Sequence, residues 1–600
     1  MTEAAAPSLS VRAAALARHY IPITVWLPAY PRKDLRYDII AGLTSWGVMI
    51  PVALAYAGLA GLPPEVGLVT AFAALAAYAI FGTSRHLKVT TSSTMAVMSA
   101  SIVAPLALGD PARFLALSAA LALVVGIILV GAGLLRLGFI SEFLAKPVVT
   151  GFVMGVALTV IVGQLPKLFG VPSGSGSIFD QLQQLVTHLP ETNPWTLAMG
   201  LLALAIIFVL RLISRRIPGA LVALIVGIAA SSALDLAAHG VATVGAVSTG
   251  LPGISLPAVG LSDLTFLAAG AAGIVFLAVG ESLGAGRSFA MRHGYELDPD
   301  QELIGLGAAN ISAGLFGGFS VDASLSQTAT GETAGVRTQL SSLITSALVL
   351  ATAVVLAPLF STLPQAVLGA IVIASILSLV DLAEMRRYWA WRRSDAALAA
   401  VALIGVVTTS VLAGLVIAVL ISLSLLLYRA SRPYIAELYR LAGKPAVYSD
   451  RSRHPNATAT PGMLLARIDA PLYFFNVTVA RTQLLALVDA AQPPPSVLIL
   501  DSAATADLDV TSSDMLGQLV TDLADRSVVL ALVQIKGPVR DRFRKTGLME
   551  RIGEDRLYRS MAEAVAAEQH RLEHEAVPSD APTGVDAGSP TGVDDPALDG

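Results

Sequence analysis

Apolar residues gather into fourteen segments, each closed by a turn or a charge, near 38–60, 64–82, 91–107, 113–135, 144–168, 195–211, 217–234, 264–282, 302–316, 322–331, 339–358, 365–380, 395–409 and 411–429. Most approach the roughly twenty residues that a helix needs to cross a hydrocarbon core. Two do not. The stretch Gly317–Gly331, GGFSVDASLSQTATG, is filled with glycine and hydroxyl residues, and 91–107 opens on Thr90-Thr91-Ser92-Ser93-Thr94. A helix from Asp322 to Gly331 would run roughly 15 Å, about half a bilayer core. Broken backbone at that depth survives only where protein or a watery cavity satisfies it, and a helix begun there aims unpaired N–H groups at the cavity.

Basic residues orient the segments. Alternate loops carry Arg85/Lys88, Arg136/Lys146, Arg211/Arg215/Arg216, Arg287/Arg292, Arg337 and Arg386/Arg387/Arg392/Arg393, whereas the others are nearly free of bases. Loops retained in the cytosol are enriched in Lys and Arg, so both termini are expected in the cytosol and the protein in the inner (plasma) membrane. Fourteen spans divide into two sets of seven. Because seven is odd, the second set enters from the opposite side, an inverted repeat whose third segments are the two irregular ones. Corresponding interrupted segments in inverted halves point to a transport site at the midplane.

After Tyr428 the pattern changes. Residues 431–460 read as a polar linker, and 461–575 alternate short apolar runs such as SVLIL (496–500) and VVLALV (528–533) with helical stretches, as in a cytosolic α/β domain. Residues 576–600 repeat PTGVD among Asp, Pro, Gly and Ser and are expected to be a disordered acidic tail. The expected organisation is 1–36 cytosolic N-terminal segment, 37–430 transmembrane domain, 431–460 linker, 461–575 soluble domain and 576–600 tail.

Composition agrees: of 600 residues 55% are hydrophobic and 14% charged, with a mean hydropathy of +0.71. A water-soluble core could not hide so much apolar surface. There is no cysteine, which removes thiol chemistry and thiolate metal sites. No P-loop GxxxxGK[ST] occurs, which argues against ATP hydrolysis, and neither a catalytic site, a metal, a cofactor nor a nucleic-acid partner is expected. GVPSGSGS at 170–177 reads as a flexible loop. The eight histidines fall outside the spans.

Glu281 is the sharpest signal, since it follows LTFLAAGAAGIVFLAVG and lies deep in the membrane, where an unpaired carboxylate is expensive. It reads as a proton- or cation-coupling group, or as a structural carboxyl bonded to its neighbours. Asp322 reads as the N-cap of the half-helix or as a second coupling group facing the cavity. Ser92, Ser93 and Thr94 read as a helix start that binds anions, or as polar glue between helices. Tyr56 could wall the site, and Gln327 could donate to a substrate without adding charge.

The runs IPVALAYAGLAGLPPEVGL (50–68), FGTSRHLKVTTSST (81–94), ESLGAGRSFA (281–290) and GFSVDASLSQTATGETAGVRTQLSS (318–342) resemble the SulP sulfate permeases, and SVLILDSAATADLDVTSSDML (496–516) is similar to the STAS domain. The resemblance implies an α-helical fold of fourteen spans in a seven-plus-seven inverted repeat, with uracil-permease-like core and gate domains, usually dimeric and elevator-like. It implies an anion site at Ser92, Ser93, Thr94, Ser324, Leu325 and Ser326, with Tyr56 and Glu281 nearby. Many members have Gln where Val52 stands, Arg where Gln327 stands and a hydroxyl residue where Asp322 stands. Relative to those members, the last two changes together remove one positive and can add one negative charge, which points to symport with a proton or sodium rather than obligate exchange. A threonine that serves sodium in one branch is Ala285 here, so the proton ranks ahead of sodium. The phosphorylated serine of anti-sigma antagonists aligns with Val510, next to Thr511.

The expected function is therefore secondary active, proton-coupled symport of a small anion: sulfate, bicarbonate or a dicarboxylate. The STAS domain would support the dimer or meet a cytosolic partner. Two other readings stay open: a nucleobase permease on the same fold, and a non-transporting membrane sensor or scaffold acting through its STAS domain.

Overall fold

The computed structural model describes residues 18, 20–139, 145–174, 176–214, 218–245, 253–377, 380–409, 411–444 and 446–575. The expectations for most of 1–19 and for the tail at 576–600 lie outside them. The chain separates into two units, Met1–Leu423 and Ser424–Gly600.

Each of the fourteen predicted apolar segments falls on a helix. In order these are α1 (Leu35–Leu59), α2 (Pro64–Phe81), α3 (Ser93–Ala107), α4 (Pro111–Leu134) and α5 (Lys146–Phe169). After a short amphipathic helix, α6 (Ile178–His188), come α7 (Pro194–Ile213), α8 (Gly219–Leu234), α9 (Leu261–His293), α10 (Pro299–Leu315), α11 (Leu325–Thr333) and α12 (Leu340–Ala351). Then follow α13 (Gln365–Leu377), a polar helix α14 (Leu382–Trp391), α15 (Arg393–Thr408) and α16 (Val411–Ala430). Among the described residues nine helices are long and apolar enough to cross a membrane. The short α3 and α11 are the two irregular segments singled out in the sequence.

The largest departure is α9. Its 33 residues extend past the expected end near 282, so Arg287 and Arg292 stand on a helix and not in a loop.

Glycine faces let helices approach closely. A Cβ on Gly126 of α4 would lie 2.7 Å from the Gly307 carbonyl oxygen of α10, and one on Gly307 would lie 2.7 Å from the Gly126 carbonyl oxygen. One turn pair further along, a Cβ on Gly314 would lie 2.7 Å from the Ala119 carbonyl oxygen. Small residues at helix crossings replace the hydrophobic drive that lipid does not supply.

The second unit is a six-stranded sheet. Its strands are β3 (Ile435–Arg440), β4 (Tyr448–Asp450), β5 (Met463–Ile468), β6 (Val497–Asp501), β7 (Val529–Val533) and β8 (Leu557–Tyr558), in the order β4-β3-β5-β6-β7-β8. β5 to β8 are parallel, and β3 is antiparallel to both β4 and β5. The linker expected at 431–460 is thereby corrected: Ile435–Glu437 pair with β5 and Leu438–Arg440 with β4, and Ala436 and Leu438 are buried between part-exposed neighbours.

Leu498, Leu500, Leu530 and Leu532 face one core, covered by α17 (Val477–Ala490), α18 (Val510–Ala524), α19 (Gly537–Thr546) and α20 (Leu548–Ile552). Val497, Ile499, Ala531 and Val533 face the other, under α21 (Met561–Glu575). Strands buried on both sides read as continuous apolar runs, which is why SVLIL and VVLALV stood out.

Candidate functional site

Two short strands sit where the chain is least membrane-like. β1 (Val89–Thr90) pairs antiparallel with β2 (Asp322–Ala323), Val89 opposite Ala323 and Thr90 opposite Asp322. Each strand leads into a half-helix, β1 into α3 and β2 into α11, so the two helices leave a common ribbon from opposite ends. The surrounding backbone is satisfied by protein. Asn310 Nδ2 donates to Val321 O at 2.9 Å while its Oδ1 accepts from Val321 N at 3.0 Å, and Ala323 N donates to Ser282 Oγ on α9 at 3.0 Å.

Hydroxyl caps set both helix starts. Ser92 Oγ accepts from Met95 N at 3.2 Å, and Ser324 Oγ accepts from Gln327 N. The amides of Ser93, Thr94, Leu325 and Ser326 make no hydrogen bond among the described residues, as first-turn amides have no partner within their helix. All four residues line a single cavity of about 500 Å³, together with Tyr56, Ser92, Ser324 and Glu281. The N-cap reading of Asp322 is thus corrected: Ser324 caps α11, and Asp322 lies in the ribbon.

The carboxyls form a pair. Asp322 is wholly buried, with Glu281 and Ser92 as polar neighbours, and neither of its oxygens receives a well-formed hydrogen bond from a fixed donor. Glu281 lines the cavity roughly 18 Å from the last residue of α9, counting the helical rise. Two carboxylates in a dry site repel, and a proton between them relieves that repulsion.

Gln327 does not reach the cavity. Its side chain is wholly buried away from the cavity lining, and neither amide atom has a partner. The expectation that it meets substrate is therefore corrected for this structure: the side chain is packed in protein and is absent from the cavity lining.

The cavity also takes residues that the sequence did not single out. Lys146, Gly284, Arg287, Ser288 and Ser375 line it. Arg287 could have been found by carrying the Glu281 helix six residues further. Lys146, at the start of α5, pairs with Glu384 of α14. Lys88, counted above as a loop base, is wholly buried.

Comparison with known proteins fits this geometry. Residues 35–402 match the model of the sulfate permease family and residues 454–564 that of the STAS domain. A probable sulfate transporter of Mycobacterium tuberculosis is 36% identical over 92% of this chain and 98% of its own. Sulfate transporter 3.1 of Arabidopsis thaliana is 29% identical over 92% of this chain and 88% of its own. The murine Solute Carrier 26 family member A9 anion transporter, solved in the inward-facing state, superposes with a TM-score of 0.85 at 24% identity, over 95% of this chain and 99% of that one. The transmembrane domain of a cyanobacterial bicarbonate transporter superposes with a TM-score of 0.57 at 25% identity, over 66% of this chain and 98% of that one. The chain belongs to the sulfate permease family and carries a STAS domain.

Proposed function

We propose that this protein is a secondary active transporter of small oxyanions, drawn from sulfate, bicarbonate and dicarboxylates, and that a proton travels with the anion. The observation that carries the reading is the set of four unclaimed amides at Ser93, Thr94, Leu325 and Ser326, from two helices, opening on one cavity beside the Glu281–Asp322 pair. Helix starts attract anions through free N–H groups and the positive end of the dipole. The Ser92 and Ser324 hydroxyls add donors suited to an oxyanion. The names of the relatives, sulfate and anion transporters, point the same way.

In this reading Glu281 and Asp322 hold the coupling proton, and an anion enters only with it, because the negative pair would otherwise oppose binding. The ribbon, α3 and α11 move together with α9 and α10, to which the ribbon is bonded, in an elevator-like stroke against the rest of the transmembrane domain. The protein works as a homodimer in the inner membrane with both termini in the cytosol, where the STAS domain supports the dimer or meets a soluble partner.

The test is uptake of labelled sulfate, bicarbonate and fumarate into proteoliposomes, each under an imposed proton or sodium gradient. One of the three should accumulate when the proton gradient is present. Accumulation of uracil with none of the anions would favour a nucleobase permease, and no uptake of any solute would leave the sensor reading.

A further inference from the structure

Lys88 precedes β1 and is fastened to α11 by its main chain: Ser324 N donates to Lys88 O at 2.9 Å, and Lys88 N donates to Thr328 Oγ1 at 3.0 Å. The side chain then passes beneath the helix. A Cβ on Gly331 would lie 3.4 Å from Lys88 Cε, ordinary contact distance, so the lysine runs alongside the last turn of α11. Nζ, wholly buried, donates to Ser341 Oγ on α12 at 2.9 Å, and that hydroxyl in turn donates a hydrogen bond to Thr338 O at 3.0 Å. Lys88 forms no ion pair among the described residues. Burial lowers its pKa from 10.5 to about 7, so it is charged below that pH, and the field of Asp38 opposes the shift, although the Asp38 oxygens already accept from Arg337 N, Thr338 N, Thr338 Oγ1 and Tyr30 Oη. Nearby Ser45 Oγ is buried without a partner.

An ammonium in the membrane interior without a carboxylate is costly and marks function more often than packing. Part of the cost is offset by position, since Gly331 is in the last turn of α11 and the carbonyl end of a helix favours a cation. The opposite end of that helix is the start that opens on the cavity. Nine residues place the two ends on the order of 12 Å apart. At that separation, in the intermediate dielectric of a protein interior, a positive charge raises the affinity for an anion roughly tenfold.

We propose that Lys88 is the built-in counter-charge of the anion site: it favours the bound oxyanion from the far end of α11 and, being fastened to that helix, sets the net charge that moves with the anion. This rests on the reading of the cavity as an anion site. Other cations are placed differently. Lys146 is paired with Glu384, and Arg287 stands on α9, whereas Lys88 is tied to the half-helix itself. Gln327, one turn into the same helix, contributes no charge.

The experiment uses full-length protein in proteoliposomes at pH 6, where Lys88 is protonated, with whichever of sulfate, bicarbonate and fumarate it takes up, measuring affinity and the response of uptake to an imposed membrane potential. Lys88→Met should weaken binding roughly tenfold and shift the potential response by one charge, while Lys88→Arg should keep both near the starting protein. Ser341→Asp, which sets a carboxylate on the ammonium in a helix first turn that tolerates an acid, should reproduce Lys88→Met and decides the matter if that variant does not fold. Wild-type affinity and potential response in Lys88→Met or in Ser341→Asp would overturn the proposal. If the unaltered protein takes up none of the three anions, the reading of the cavity fails and this proposal falls with it, a result distinct from a variant that behaves like an active parent.

Discussion

Thr90 and Asp322 face each other across an antiparallel ribbon two residues long on each strand, and behind Asp322 lies the Glu281 carboxyl. The ribbon thus holds one acid of the pair on the same element that starts both half-helices. That makes protonation of the pair a condition on the geometry and charge of both helix starts at once.

Glu281→Gln is therefore expected to keep anion binding while abolishing accumulation above the level reached without a proton gradient. Asp322→Asn should do the same. Because the two groups act as one unit, the double variant should lose little more than either single one. Labelled-anion uptake with and without an inward proton gradient measures this, and gradient-driven accumulation surviving in Glu281→Gln would remove the pair from coupling.

Much of this arrangement is readable in the chain, and what is not readable has physical causes. Apolar run length gave the helices, and the hydroxyl-rich starts at Ser92 and Ser324 marked the half-helices because no ordinary span opens that way. The depth of Glu281 followed from counting residues. The ribbon itself was illegible, since strands of two residues carry no alternation to detect. The facing of Gln327 was hidden as well: a nine-residue helix with polar residues all round has no apolar stripe to fix its rotation. Lys88 and Arg287 were misplaced for one reason, that basic residues were assigned to loops by the rule for orientation, whereas one side chain runs inward and the other extends a helix. In the second unit, the polar stretch that holds β3 and β4 concealed them because only Ala436 and Leu438 of β3 are buried and every residue of β4 is part-exposed.

Gln327 offers a second prediction. Its amide is buried with both ends unpartnered, a state that costs about 1–3 kcal/mol relative to a satisfied group. Gln327→Met, similar in volume and apolar, should melt at or above the temperature of the starting protein and bind anion with unchanged affinity. A loss of affinity by tenfold or more would mean that the amide turns into the cavity during binding.

The α4–α10 crossing provides a third. A Cβ on Gly307 would stand 2.6 Å from Val130 Cγ2 as well as 2.7 Å from the Gly126 carbonyl oxygen, and backbone cannot swing aside as a side chain does. Gly307→Val is expected to destabilise the protein by about 1–3 kcal/mol, the usual cost of overpacking. The same change at Gly131, on the same helix as Gly126 but with open space beside it, should be tolerated. Paired melting curves of the two variants in detergent separate close packing from a general dislike of branched residues in α4 and α10.

The last prediction concerns pH. His86, in the connection between α2 and β1, is 6% exposed, its ring stacked on His293 with centroids 4.0 Å apart and its Nδ1 3.3 Å from Tyr295 Oη. Burial first, and then the neighbouring His293, lower its pKa from 6.5 to about 4; Arg85 and Arg337 act in the same direction and Glu332 opposes them. The sign follows from linkage. Between about 6.5 and 4 the unfolded chain takes up a proton that the folded chain refuses, so the contribution of His86 is intact above that window and is lost as pH falls through it. His86→Phe keeps the stack without the titrating group. Its melting temperature should start slightly low at pH 7.5, from the lost contact with Tyr295, and then fall less steeply than that of the starting protein towards pH 4.5. Parallel melting curves across that range would show that the acid sensitivity of the fold resides elsewhere.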